Sequence, residues 1–244
     1  CSGPAPLRFV PATPATYELG GVAPQFIYST GVSGCTGNAL RIYASPNVTW
    51  DIDNPDGVFT MQGWRTASNF NFTRGNIGNA EGWQLVNDST STVTGASQAT
   101  GWIETAQGRR VTAIGPVRFD VGDSANYLPM NVGVRGLTGP GYVLGQTYAW
   151  DAFDIHRAQL DLSHLVHRTW ILTASNDFGN LFPPTFFGDV DATFPFVASD
   201  VDPGSDPLQF ELRQFRMPDV PWRATTPGIR TATSIQALGL TAAA

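Results

Sequence analysis

Lysine is absent from this chain: all 14 Lys/Arg positions are arginine. Glutamate is scarce, with 4 residues against 16 aspartates. The net charge is −6, and no Lys/Arg run exceeds Arg109-Arg110. That argues against strong direct nucleic-acid contact, which needs a basic patch to neutralise phosphates. Only two cysteines occur, Cys1 and Cys35, so a disulfide framework is excluded. Whether the two pair is not readable from spacing. No apolar run approaches the roughly 18 residues of a membrane span, so no transmembrane segment is expected. Catalytic signatures are missing as well: there is no Gly-x-Ser-x-Gly and no His-Glu-x-x-His. Arginine without lysine fits either a GC-rich genome or a use for planar, forked contacts at subunit interfaces. Aspartate over glutamate suits turns, because the short carboxylate bonds to nearby backbone amides.

What is abundant is turn-forming and aromatic. The 244 residues include 26 Gly, 18 Pro, 15 Phe, 7 Trp and 6 Tyr, and 42% are hydrophobic. A chain of this length buries roughly 70–75% of its unfolded surface and needs no staples. Short β-type runs separated by turn residues fill the middle. They are 25–30, 39–44, 48–52, 58–62, 69–73, 83–86, 102–105, 110–121, 130–135, 142–150, 159–162, 168–173, 193–197 and 208–215. Leu208, Phe210 and Leu212 alternate along one face, as do Phe70 and Phe72. Pro55-Asp56-Gly57, Gly139-Pro140-Gly141 and Asp202-Pro203-Gly204 read as turns. Only 151–167 has the length of a helix, and its apolar residues fit neither period.

This pattern predicts an all-β protein, an antiparallel β-sandwich in the form of an eight-stranded jelly roll. Residues 25–216 make the domain. Residues 1–24, with Pro4, Pro6, Pro11, Pro14 and Pro24, read as an extended N-terminal arm. Residues 217–244 read as an extended C-terminal tail. The start at Cys1 fits two kinds of processing, a lipoprotein signal peptidase that leaves a cysteine for acylation or a polyprotein protease.

The chemistry-bearing clusters are weak. His156, His164 and His167 are the only histidines, interleaved with Asp151, Asp154 and Asp161. No third distant ligand completes a metal site, and structural or interface histidines are the plainer reading. Ser163 beside His164 is poor geometry for a nucleophile and its base. Asp51, Asp53 and Asp56 crowd a Pro-Asp-Gly turn in a spacing that misses the EF-hand pattern. Asp200, Asp202 and Asp206 precede Leu208 in a segment that resembles the calcium-binding loop of cadherin-like repeats over those positions only. All six are weak calcium candidates against a plain turn reading, and no cofactor is expected. Trp50, Trp64, Trp83 and Trp102 read as core residues before they read as a sugar-binding surface. Asn47, Asn71 and Asn87 head glycosylation acceptors if the chain is secreted in a eukaryote.

The second half carries a pattern of its own. Gly145 to Trp150-Asp151 is followed by Leu160-Asp-Leu162, then Trp170-Ile-Leu172, then 208–215, then Met217-Pro218. This succession resembles the later strands of picorna-like viral coat proteins, including the small coat subunit of plant comoviruses. The resemblance implies a jelly roll that assembles into a virion shell, partnered by copies of itself and other coat subunits, with arms reaching neighbours. Contacts would then be sought at Arg8, Arg213, Arg216, Arg223 and Arg230, and no enzymatic activity is implied. The alternative is an extracellular or cell-surface β-sandwich, lipid-anchored at Cys1, that binds glycan or protein.

Overall fold

The computed structural model describes residues 7–9, 15–20, 25–27, 42–44, 47–61, 64–66, 68–79, 85–87, 89–104, 106–175, 187–215 and 222–241. Strands dominate these, accompanied by three short 3-10 turns and no α-helix. The all-β expectation holds. Instead of the single body predicted for 25–216, the chain divides into two compact units. The first is Cys1–Arg110 with Asp120–Tyr127, and the second is Val111–Phe119 with Leu128–Ala244.

In the first unit the named strands pair in parallel. Val48–Met61 lies between Ala15–Gly20 and Asn69–Asn79. Asn69–Asn79 in turn pairs with Val93–Thr94 and with Ile103–Glu104, which continues to Val121–Gly122. A second ladder runs from Trp64–Thr66 through Leu85–Asn87 to Ala106–Val111. Register partners such as Thr49↔Asn69, Phe70↔Val93 and Ile103↔Val121 lie 20, 23 and 18 residues apart by subtraction. The chain therefore returns to the same sheet after each coil, winding as a solenoid does without a repeated sequence motif. Period-2 alternation is the same in both pairing directions, so the predicted antiparallel order was not fixed by it.

Parallel registration stacks like on like. Trp50 aligns with Phe70, and Phe70 with Val93, while Ile52 aligns with Phe72. These side chains form the unit's core with Val48, Ile77, Leu85 and Ile103. Offset by one residue, Asp51, Asn71 and Thr94 form a polar row on the opposite face. Asn71 Nδ2 donates to Asp51 Oδ1 at 2.9 Å, and Thr94 Oγ1 donates to Asn71 Oδ1 at 3.1 Å. One alternation thus produces a dry stack and a hydrogen-bonded surface. The predicted Pro55-Asp56-Gly57 turn lies inside the strand Val48–Met61. There the register with the neighbouring strand shifts between Asp53 and Val58, so the extra residues are absorbed as a break in the ladder.

A buried polar chain crosses this unit. The Asp120 amide donates to Gln107 Oε1 (2.6 Å), and Gln107 Nε2 to Asn87 Oδ1 (2.8 Å). Asn87 Nδ2 donates to Ser91 Oγ (3.0 Å), and Ser91 donates to the Ser68 carbonyl. The Trp50 indole closes the chain on Ser68 Oγ at 2.8 Å. Each buried group finds a partner, which keeps a polar interior from costing stability.

The second unit is antiparallel. Its five-stranded sheet runs Gly115–Phe119, Met130–Leu137, Phe187–Pro195, Ser234–Thr241, Thr226–Thr231. Gly141–Tyr148 pairs antiparallel with Thr169–Ser175. Gly145 lets Phe119 and Met130 close onto that strand: a Cβ there would sit 2.7 Å from Phe119 Cγ and 2.6 Å from Met130 Cε.

Four expectations are corrected here. The predicted tail beyond 217 contains the paired strands Thr226–Thr231 and Ser234–Thr241, and buries Ile235, Ala237 and Leu240. Apolar alternation along Ser234–Thr241 gives that strand a face to bury, which an extended tail lacks. Residues 208–215 form a 3-10 turn at Pro207–Gln209, capped by Asp206, and only a two-residue strand at Arg213–Gln214. Residues 159–162 are a loop, because Gln159 takes a positive φ of 56° that interrupts an extended run. In the predicted N-terminal arm, Leu7–Phe9 and Ala15–Gly20 are strands paired with Ile42–Ala44 and Val48–Met61. The other residues of 1–24, and Cys35, lie outside the described residues.

Candidate functional site

The second unit gathers the chain's three histidines onto the segment that follows strand Gly141–Tyr148. That segment forms a 3-10 turn at Ile155–Arg157, entered through Asp154 in a left-handed conformation. It is fastened to the turn at 197–206. His167 donates its backbone N–H to the Asp200 carbonyl at 2.7 Å, and Asp202 donates to the Leu165 carbonyl at 3.0 Å.

Charged side chains complete the fastening. Arg168 is buried and grips Asp200 with two nitrogens, Nε to Oδ2 at 2.6 Å and Nη2 to Oδ1 at 3.0 Å. Asp200 also accepts the Val197 amide at 3.0 Å. His167 sits between two carboxylates, Nδ1 to Asp151 at 2.9 Å and Nε2 to Asp202 at 2.9 Å. Both ring nitrogens can donate only when the imidazole is protonated. Hydrogen bonds to Asp202 and then Asp151 accordingly raise the His167 pKa above its ordinary value. Asp202 is held below the usual carboxylate range, first by the Leu165 amide and then by His167.

Ser163, His164 and Asp161 come together without forming a relay. Ser163 Oγ donates to Asp161 Oδ1 at 2.6 Å, and His164 Nδ1 lies 2.9 Å from Asp161 Oδ2. Ser163 Oγ is also 3.0 Å from that same Nδ1. A nucleophile relay places serine and carboxylate on opposite ring nitrogens. Here both sit on one, and the serine proton is already committed to Asp161. These bonds, Ser163 first, lower Asp161 to a pKa of about 2.

The calcium candidates are engaged elsewhere. Asp51 accepts from Asn71 and Thr73, and Asp53 pairs with Arg74 at 2.5 and 3.0 Å. Asp200 holds Arg168, Asp202 holds His167 and Leu165, and Asp206 caps Leu208. Only the backbone of Asp56 is described. Among the described residues no group of three or more His, Cys, Asp or Glu is placed to hold a metal. Of the arginines sought as contacts, Arg213 pairs with Glu211 at 2.8 Å, and Arg230 Nε donates to the Phe210 carbonyl at 2.6 Å. Arg223 is exposed on the strand Arg223–Ala224. Only the backbone of Arg8 is described, and Arg216 lies outside the described residues.

Beside the histidine segment opens a cavity of about 1570 Å³, contained within the second unit. Small-molecule sites usually measure about 300–1,000 Å³. Its wall mixes aliphatic and aromatic side chains. Trp170 packs on Phe194 with centroids 5.4 Å apart, and Phe215 packs on Trp222 at 5.3 Å. The Trp222 indole is fixed to the Asp154 carbonyl at 3.1 Å. Tyr148 and Trp150 stack at 4.1 Å and 22°, with Trp150 58% exposed. Asp161, His164 and Arg168 share the lining.

The tryptophans weighed from sequence for sugar binding lie elsewhere. Trp50 and Trp102 are core, with their indoles bonded to Ser68 and to the Asp123 carbonyl. Only the backbone of Trp64 is described, and Trp83 lies outside the described residues. The signal for the stack was present as Tyr148-Ala-Trp150 at the end of an alternating strand, where the side chains two apart share a face. No family model, curated protein or solved structure matches the chain. Among the described residues no helix is long and apolar enough to cross a membrane.

Proposed function

We propose that this protein is a structural subunit of a virion, a coat protein that works by burying surface against copies of itself and other coat subunits. In this reading it performs no chemistry. One observation carries the proposal: among the residues whose side chains are described, the exposed large hydrophobic ones, Ile114, Trp150, Phe153, Leu162, Ile171, Leu208 and Ile229, belong to the second unit. Phe153 is 84% exposed. Large apolar side chains held open to water gain from burial against a partner. Pro116 and Pro227 lie in the two outer strands of the five-stranded sheet, Gly115–Phe119 and Thr226–Thr231, and oppose ladder extension there. In this reading assembly does not proceed by extending that five-stranded sheet.

The test is light scattering with electron microscopy across a concentration series. Uniform particles that dissociate on combining Ile114→Ser with Ile229→Ser are the expected outcome. A strict monomer at every concentration would remove the proposal.

A second reading, an extracellular or cell-surface module that binds glycan or protein, is favoured by the cavity with its stacked Tyr148 and Trp150. Under it, a chain lipid-anchored through Cys1 would carry added acyl mass and partition into detergent.

A further inference from the structure

Thr169–Ser175 is the outer strand of its sheet, and among the described residues its backbone pairs only with Gly141–Tyr148. Unpaired N–H and C=O groups along an edge recruit another strand, so proteins blunt their edges with proline, charge, bulges or short strands. The outer strands of the five-stranded sheet carry Pro116 and Pro227, and the Thr226–Thr231 ladder also shifts register between Pro227 and Arg230. Thr169-Trp-Ile-Leu-Thr-Ala-Ser175 has none of these devices. It is seven residues long, with no proline, no charge and an unbroken register.

The core beside this strand is only half covered. Trp170 faces inward, since its indole donates to the Pro195 carbonyl at 3.1 Å and its ring packs on Phe194. Alternation puts Leu172 and Ala174 on the same face. Their register partners on the neighbouring strand, Thr147, Gly145 and Val143, are buried, whereas Trp170, Leu172 and Ala174 are half-buried. These three line the cavity opposite the buried Val190, Phe194 and Ile235. One more strand, at the usual spacing of about 4.8 Å, would cover the row.

The order of residues says which strand suits that place. Antiparallel pairing of the segment with itself about Leu172 sets Trp170 opposite Ala174 of a second copy, large against small, at both ends. Leu172 then meets Leu172. On the other face Ile171 meets Thr173, and Thr169 meets Ser175. Apolar and hydroxyl pairs of this kind stabilise a ladder, and no like charges oppose each other. A self-complementary contact about a two-fold axis is also the commonest way for identical chains to join.

We infer that two copies of this chain join by antiparallel pairing of Thr169–Ser175 with the same segment of the second copy, about a two-fold axis at Leu172. The pairing continues the sheet from one copy to the next and covers the half-buried row of each. It rests on the assembly reading and names one contact within it.

The test is hydrogen exchange of the full chain over a concentration series, with sedimentation velocity on the same samples. Amides of 169–175 are expected to slow severalfold as the chain associates. Those of Ser234–Thr241, a strand already paired on both sides, should not change. Ile171→Lys combined with Thr173→Lys places lysines opposite each other across the axis and should weaken association about tenfold. Ile171→Lys combined with Thr173→Glu places opposite charges there and should associate at least about threefold more tightly than the double lysine variant. A thermal melt checks that each variant is folded, and the exchange measurement on the unmodified chain stands whatever the variants do. Association without slowing at 169–175 would overturn this pairing and leave assembly in place. So would a double lysine variant that associates as the unmodified chain does, or a Lys/Glu variant no tighter than the double lysine one. A monomer at every concentration would overturn both.

Discussion

The two units solve the same problem, alternating sequence that must bury one face, by different means. In the first, parallel registration stacks Trp50, Phe70 and Val93 into an apolar column, with a row of neutral and acidic hydrogen bonds outside it. In the second, an irregular segment of some length is pinned by charge: Arg168 to Asp200 inside, and His167 between Asp151 and Asp202 nearer the surface. Regular ladders satisfy their own backbone groups. A long loop cannot, so side-chain carboxylates take over that work. Among the described residues, the unit that depends on charged clasps also holds the cavity and the exposed large apolar side chains. Sites favour such loops because loop sequence is free of the demands of a ladder.

The largest expected effect tests the apolar column. Phe70→Ala, at a fully buried position, should cost about 3–5 kcal/mol, measured by urea denaturation. A loss under 1 kcal/mol would mean that the column is not the core. Next is Arg168→Met, which leaves Asp200 buried and unpaired and should cost about 3–5 kcal/mol. Adding Asp200→Leu should recover part of that loss. A double variant worse than the single would show that Asp200 matters more for the Val197 amide than for the ion pair.

Smaller, and specific to the second unit, is a pH effect. The His167 pKa is raised on folding, so its contribution is complete below the unfolded value near 6.5 and is lost as pH rises through the folded value. The side chain is 43% exposed, so screening holds the effect to about 1 kcal/mol or less. Hydrogen exchange over 151–167 should accelerate on raising pH from 6 to 9 after correction for intrinsic rates, and His167→Gln should remove that dependence. Residues 69–104 hold no histidine and should not follow it. At the acid end the sign reverses. Asp161 is depressed to about 2, so what it adds to the turn is present above the ordinary carboxylate value and is lost as pH falls through about 2. The smallest expected change is Thr94→Val on the exposed polar row, within about 0.5 kcal/mol.

How much of this was legible in the residues varies by element. Val48–Ile52 and Phe70–Phe72 declared themselves as strands with a buried face, and Trp50 as core, because alternation is local. The stretch 208–215 alternates as cleanly and is mostly not a strand. Asp206 and Pro207 start a 3-10 turn there; Phe210, Leu212 and Phe215 line a cavity instead of a ladder, and Leu208 is exposed. The acidic residues beside the glycine turns were visible as a group. Their assignment to Arg168, His167 and Arg74 was not, since those partners lie between 21 and 35 positions away.

By itself the sequence determined the all-β class, the alternation that sorts core from surface, and the lack of any motif that would commit the chain to catalysis. Those follow from residue type and spacing, which act over a few positions. Only the tertiary structure decided that the first unit pairs in parallel and the second antiparallel, and that the C-terminal residues close a sheet. It alone placed Tyr148, Trp150, Trp170 and Trp222 on the wall of one cavity. Strand direction and the meeting of distant side chains depend on how the chain closes its long loops, and period-2 alternation carries no information about that.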